Sequence, residues 1–339
     1  MAFRYIATLN LGNSLTHHSS AVIDRAAGFA YFGCYTNPGR IVKINLNPFA
    51  GAGSLELPAN YNDLDCAAMS AGIARAYFGS EGLYSRINVI NLTSFLVGDV
   101  VVWDPAVVEL KCMATDTVAG YLYSGSDESP GRIRRNKTGD EGTNATLTLA
   151  VGDNRVWAGV IDKANGFGYF CTVGEPAKIY KVDLTDFTLE ATTTLLTGVG
   201  SFVSMTLNET DGFLYGVADA SPGRVAKYDL SDFSAAGSIT LGEEENSPRS
   251  ILISPETNSW YTGCHVSPGI IVRGSLSPFA RTDAITLPAG NNGCYKGVID
   301  EPNGFCYFGN DELPGMIFKI EVEPNPIGFP QEIMTMGIG

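Results

Sequence analysis

The sequence predicts an all-β chain closed into a seven-bladed β-propeller. Three observations carry that prediction: a tyrosine recurring at a fixed interval, four strand-like runs in each interval, and a first segment already in phase with the last repeat. Tyr31, Tyr77, Tyr123, Tyr169, Tyr215, Tyr261 and Tyr307 stand 46 residues apart with no insertion between them. Other columns keep the same step. Twelve residues after each tyrosine come Lys43, Val89, Arg135, Lys181, Lys227, Arg273 and Lys319, and eighteen after come Phe49, Phe95, Glu141, Phe187, Phe233, Phe279 and Asn325.

Within a unit the elements follow in order. Between Ser204 and Leu241 the β-branched and aromatic runs "SMTL", "FLYGV", "RVAKYDL" and "GSITL" are separated by turn residues, and no helix is required. The first hairpin turn carries Asp211-Gly212 here, and Asn165-Gly166 or Asn303-Gly304 elsewhere, residues that accept positive φ. Pro-Gly marks the next turn in five units, beginning with Pro38-Gly39. The leucine of the fourth strand lies 26 residues after the tyrosine (Leu57, Leu149, Leu195, Leu241, Leu287, with Trp103 in the second unit), and one period earlier stands Leu11. Residues 3–11 are therefore expected to complete the last blade, giving a single domain over 1–322 and a surplus C-terminal tail over 323–339. The rival closure is through "EIMTM", where Ile333 falls in the same column.

Composition narrows the partners. Thirty-six acidic against 22 basic residues, a net charge of −14 and a pI near 4.6 argue against phosphate backbones and anionic lipid. No apolar run approaches the roughly 18 residues of a membrane span, and the opening lacks a secretory pattern. A cytoplasmic, particle-associated or non-classically exported chain is expected. Seven cysteines, an odd number without a CxxC pair, read as buried thiols.

Function is sought at the channel mouth. Twelve residues before each tyrosine stand Ser19, Asp65, Lys111, Trp157, Val203, Arg249 and Tyr295, chemically mixed where core columns are uniform. Asp65, Lys111, Trp157, Arg249 and Tyr295 suit a polar or glycan ligand, held by hydrogen bonds and ring stacking. The ring ten before the tyrosine, from Ala21 to Gly297, is small and mostly apolar. Seven before it, Asp24, Ser70, Asp116, Asp162, Asn208, Ser254 and Asp300 read as caps of the hairpin turn. The loops between second and third strands carry acids, of which Glu81, Asp127, Glu175, Asp219 and Asp311 are weak candidates for a calcium ion. With three histidines and neither GxSxG nor HExxH, no catalytic residue is assigned. Two departures suggest assembly. Arg132, Arg134, Arg135 and Lys137 form a basic cluster in a divergent third unit, read as an outer edge, and the tail carries Phe329, Ile333 and Met336.

The first unit's "YFGCYTNPGRIVKINL" resembles the YVTN/NHL-type propeller repeats of surface-layer and lactonase-like proteins, and the likeness extends to about Val322. The surface-layer branch implies protein or glycan binding. A non-enzymatic binding or assembly module is therefore expected, as a homo-oligomer or part of a surface layer, and the missing secretory pattern, regular scaffold and apolar tail extend that expectation to a virus particle. The lactonase branch implies the alternative, a small-ester hydrolase with its site at the channel mouth. The carboxylates that such an enzyme converges on its channel have no counterpart in the inner rings.

Overall fold

The computed structural model describes residues 3–81, 85–104, 109–139 and 144–322. These form seven four-stranded antiparallel sheets, and their innermost strands touch in a closed cycle, the seventh returning to the first. Blade 1 is built from His18–Asp24, Phe29–Cys34, Arg40–Asn45 and Ala50–Glu56, counted from the channel outwards. Blade 7 takes Cys294–Asp300, Phe305–Asn310 and Gly315–Glu321 from the end of the chain, and its outermost strand, Arg4–Gly12, from the beginning. Arg4 lies opposite Glu321 and Leu9 opposite Ile317. The ring is thus closed by the N-terminal strand. The rival "EIMTM" segment, like Phe329, Ile333 and Met336, lies outside the described residues.

The period has a physical meaning at the blade interfaces. Every repeat tyrosine is buried, and where the next blade supplies a turn phenylalanine the two rings pack: Tyr31 on Phe95 at 5.8 Å, Tyr169 on Phe233 at 5.7 Å, Tyr307 on Phe49 at 5.6 Å. Phe3 packs on Tyr261 at 5.9 Å. One period before Phe49 is Phe3, so the N-terminal segment fills that column in blade 7. The lysine column caps the same cluster. Lys43, Lys181, Lys227 and Lys319 hold their ammonium groups 3.6–3.9 Å from the ring centres of Phe29, Phe167, Phe213 and Phe305, a cation–π contact that tolerates partial burial of the charge. Aromatic and basic columns are therefore periodic because each cements one blade to its neighbour.

Turn chemistry follows the expected columns. Three residues before each tyrosine the backbone is left-handed, at Gly28, Gly120, Gly166, Gly212 and Gly304, and also at Ala74 and Asn258. Asp24, Asp116, Asp162 and Asn208 accept backbone N–H groups two or three residues on, which is the cap reading. All seven cysteines are free and buried. Among the described residues no helix is long and apolar enough to cross a membrane.

The third unit is less divergent than its sequence suggests. Arg132–Lys137 is a regular third strand, paired on both sides, with Asn144–Thr148 outside it. Arg134 is buried and stacks on Trp103, which replaces the usual leucine. Arg132 makes a two-pronged contact with Glu128, both bonds at 2.7 Å, and Arg135 donates to the Leu184 carbonyl of blade 4 at 2.7 Å. Only Lys137 of the four is exposed. The hydrophobic pattern is broken here because a guanidinium enters a column held elsewhere by Val42, Tyr180 or Phe318, and the indole of Trp103 from blade 2 covers it.

Candidate functional site

The mouth ring is assembled by a local device repeated in every blade. At the top of each first strand the pairing register slips. In blade 1 His18 faces Cys34 but Ser20 faces Gly33, leaving Ser19 out of register. The same bulge ejects Lys111, Trp157, Val203 and Arg249, and longer slips contain Asp65 and Tyr295. A bulge re-aims the side chain it carries. Here all seven re-aimed residues line one cavity of about 130 Å³, together with Lys296. The adjoining channel space, about 250 Å³, is shared between mouth residues and the small, mostly apolar ring from Ala21 through Met113 to Gly297. The five mouth residues singled out from the sequence therefore do meet.

Their charges are organised by the loops above. Lys111 is held by Asp65, by Glu81 at 3.1 Å and by Glu109 at 2.8 Å. Burial disfavours its ammonium, yet these carboxylates raise its pKa above the ordinary lysine value. Burial, followed by the hydrogen bond with Asp65 and the Asp65 charge, pushes the Glu81 carboxyl up to about 8. On the other side of the mouth Arg249 pairs with Asp219 at 2.7 Å and lies 5.3 Å from the Tyr295 ring centre. His265 meets that ring edge-on. The rim acids are thus partners of neighbouring bases: Glu81 of Lys111, Asp219 of Arg249, Asp127 of Arg155 at 3.2 Å, and Asp311 of His17 at 2.8 Å. Each pair joins the end of the second strand of one blade, or the loop after it, to the start of the next blade. Glu175 is exposed. Among the described residues no three His, Cys, Asp or Glu side chains are disposed to hold a metal ion.

One residue of the mouth escaped the sequence reading. Lys296 sits eleven before Tyr307, in a column that elsewhere reads Ser20, Cys66, Cys112, Ala158, Ser204 and Ser250. A single long cation in a column of small residues was the available signal. Its Nζ donates to the carbonyls of Val203 at 3.2 Å and Arg249 at 3.1 Å. Burial, with the Arg249 charge acting in the same direction, lowers its pKa to about 8.

The Glu81 environment sets a pH dependence. A carboxyl whose folded pKa lies above its unfolded value stabilises the fold fully at low pH and loses that contribution as pH rises through the folded value. Between pH 6.5 and 8 the depressed carboxyl of Glu109 and the raised ammonium of Lys111 do not titrate, so Glu81 dominates this cluster. The stability difference between wild type and Glu81→Gln is expected to change by roughly 1–2 kcal/mol across that window. Parallel denaturation curves at the two pH values check it, and an unchanged difference refutes the assignment.

No known family profile matches the chain, and no curated protein sequence does. In fold it is similar to the crystal structure of the Myceliophteria thermophila Cps50 (Swd1) beta-propeller domain, with a TM-score of 0.74 over 95% of this chain and 100% of that one, at 10% identity. The chain is a seven-bladed β-propeller, and at that identity the likeness is one of fold alone.

Proposed function

We propose that the protein is a non-enzymatic binding module that takes a sugar residue of a glycan at the propeller mouth. One observation carries this reading: seven bulges deliver seven chemically different side chains into a single cavity. A scaffold needing only stability has no use for a mixed ring there, whereas a polyhydroxylated ligand needs donors, acceptors and an apolar face together. Asp65 supplies acceptors for hydroxyl groups, Arg249 supplies donors, and Trp157 and Tyr295 supply faces on which a sugar ring stacks. The cavity is below the ~300–1,000 Å³ typical of drug-sized ligands, which suits one terminal residue of a larger chain.

Saturation-transfer NMR against a panel of neutral and acidic monosaccharides tests the reading. Signal from at least one sugar is expected, with Trp157→Ala weakening it about tenfold, the equivalent of one stacking contact. Silence across the panel, or binding indifferent to Trp157, overturns it.

A further inference from the structure

Resting on the sugar-binding reading, we propose that the mouth selects a carboxylate-bearing sugar, a uronic-acid type residue, with Lys296 as the counter-ion of the carboxylate. The cations of the cavity differ in how they are balanced. Lys111 has three carboxylates around it, and Arg249 has Asp219. Lys296 has none within ion-pair distance among the described residues. Its two contacts are main-chain carbonyls, which satisfy two of the three N–H bonds of an ammonium and carry no net charge.

The position of Lys296 is built rather than incidental. In blade 7 the first strand pairs Cys294 with Asn310 and next Gly297 with Phe308, so both Tyr295 and Lys296 leave the register. From there the lysine reaches past blade 6 to the Val203 carbonyl of blade 5, placing its ammonium across the floor of the mouth. The Tyr295 ring centre is 5.7 Å from Nζ, and the Arg249 guanidinium lies on the same ring at 5.3 Å. Two cations beside one aromatic face, with Asp65 committed to Lys111 across the cavity, polarise the mouth. A sugar stacked there presents an anionic substituent favourably to the blade 6 and 7 side and its hydroxyl groups to Asp65. A half-buried ammonium with only main-chain partners is partly desolvated at a cost; an incoming carboxylate offsets that cost through a charge-assisted hydrogen bond, whereas a neutral isostere does not.

The experiment is calorimetric titration of the full chain with sodium D-glucuronate and with D-glucose, at low ionic strength, for wild type, Lys296→Met and Lys296→Arg. Wild type is expected to bind glucuronate about tenfold more tightly than glucose. Lys296→Met is expected to erase that preference, and Lys296→Arg to keep it in part. Equal binding of the two sugars by wild type, or a preference that survives Lys296→Met, overturns the carboxylate assignment and leaves the sugar reading standing. Binding of neither sugar overturns both. Thermal denaturation of the variants guards against unfolding, since Lys296→Arg retains the charge and much of the length.

Discussion

A chain lacking residues 1–12 is expected not to reach the closed monomeric fold. The deletion removes the outermost strand of blade 7, which pairs along its length with Gly315–Glu321. It also withdraws Phe3 and Tyr5 from the core around Tyr261 and Phe308, and Leu9 and Leu11 from that around Tyr307 and Phe32. Four apolar side chains at ~1–3 kcal/mol each, with ladder hydrogen bonds at about 1 kcal/mol each, amount to much of the ~5–15 kcal/mol that holds a typical protein folded. The freed edge of Gly315–Glu321 then invites pairing with another chain. Aggregation or a large fall in Tm is expected, with recovery of monomer when a peptide of residues 1–14 is added in trans. A truncated protein that stays monomeric with unchanged Tm refutes this account of closure.

Gly274→Ala is expected to cost heavily for a single added carbon. Gly274 lies directly opposite Trp260 in the pairing of the second and third strands of blade 6. A methyl group there falls 2.0 Å from Trp260 Cε2 and 2.3 Å from the Ala280 carbonyl oxygen. Trp260 is fully buried and has nowhere to go. Strand propensity favours alanine over glycine, so the overpacking term decides the sign, at about 3 kcal/mol. In a Trp260→Leu background the same substitution is expected to cost much less, a coupling that a double-mutant cycle reads directly. Gly51→Ala, with no atom within 4 Å of the new methyl, is the neutral comparison. Additive effects at 260 and 274 would show that the clash is relieved elsewhere.

That pair also shows how far one-dimensional reading can go. The residue before the repeat tyrosine and the residue thirteen after it pair across strands in every blade: Ala30 with Ile44, Gly168 with Val182, Trp260 with Gly274. Small and large trade places in blade 6, so the complementarity was present in the columns. Lys296 was equally visible as the exception in its column. By contrast, the bulges could not be read. A one-residue slip at the start of a strand changes which way a side chain points without changing its place in the hydrophobic pattern.

Periodicity alone established the blade count, the four strands per blade and the turn positions, because each follows from local preference repeated at one spacing; it offered two closing strands, and the pairing of Arg4–Gly12 with Gly315–Glu321 decided between them. Phe3, in phase with Phe49 and packed on Tyr261, belongs to the same logic. The functional chemistry was decided by the ring. Asp219 and Arg249, or Glu81 and Lys111, are 30 residues apart in sequence and belong to different blades, so their pairing depends on how one sheet leans on the next. The same holds for Lys296 and the Val203 carbonyl, 93 residues away. Acids that look like an exposed rim in one dimension become the partners of mouth bases in three. Which mouth cation, among the described residues, keeps only main-chain partners is a property of seven strands converging on one axis, and no local preference encodes it.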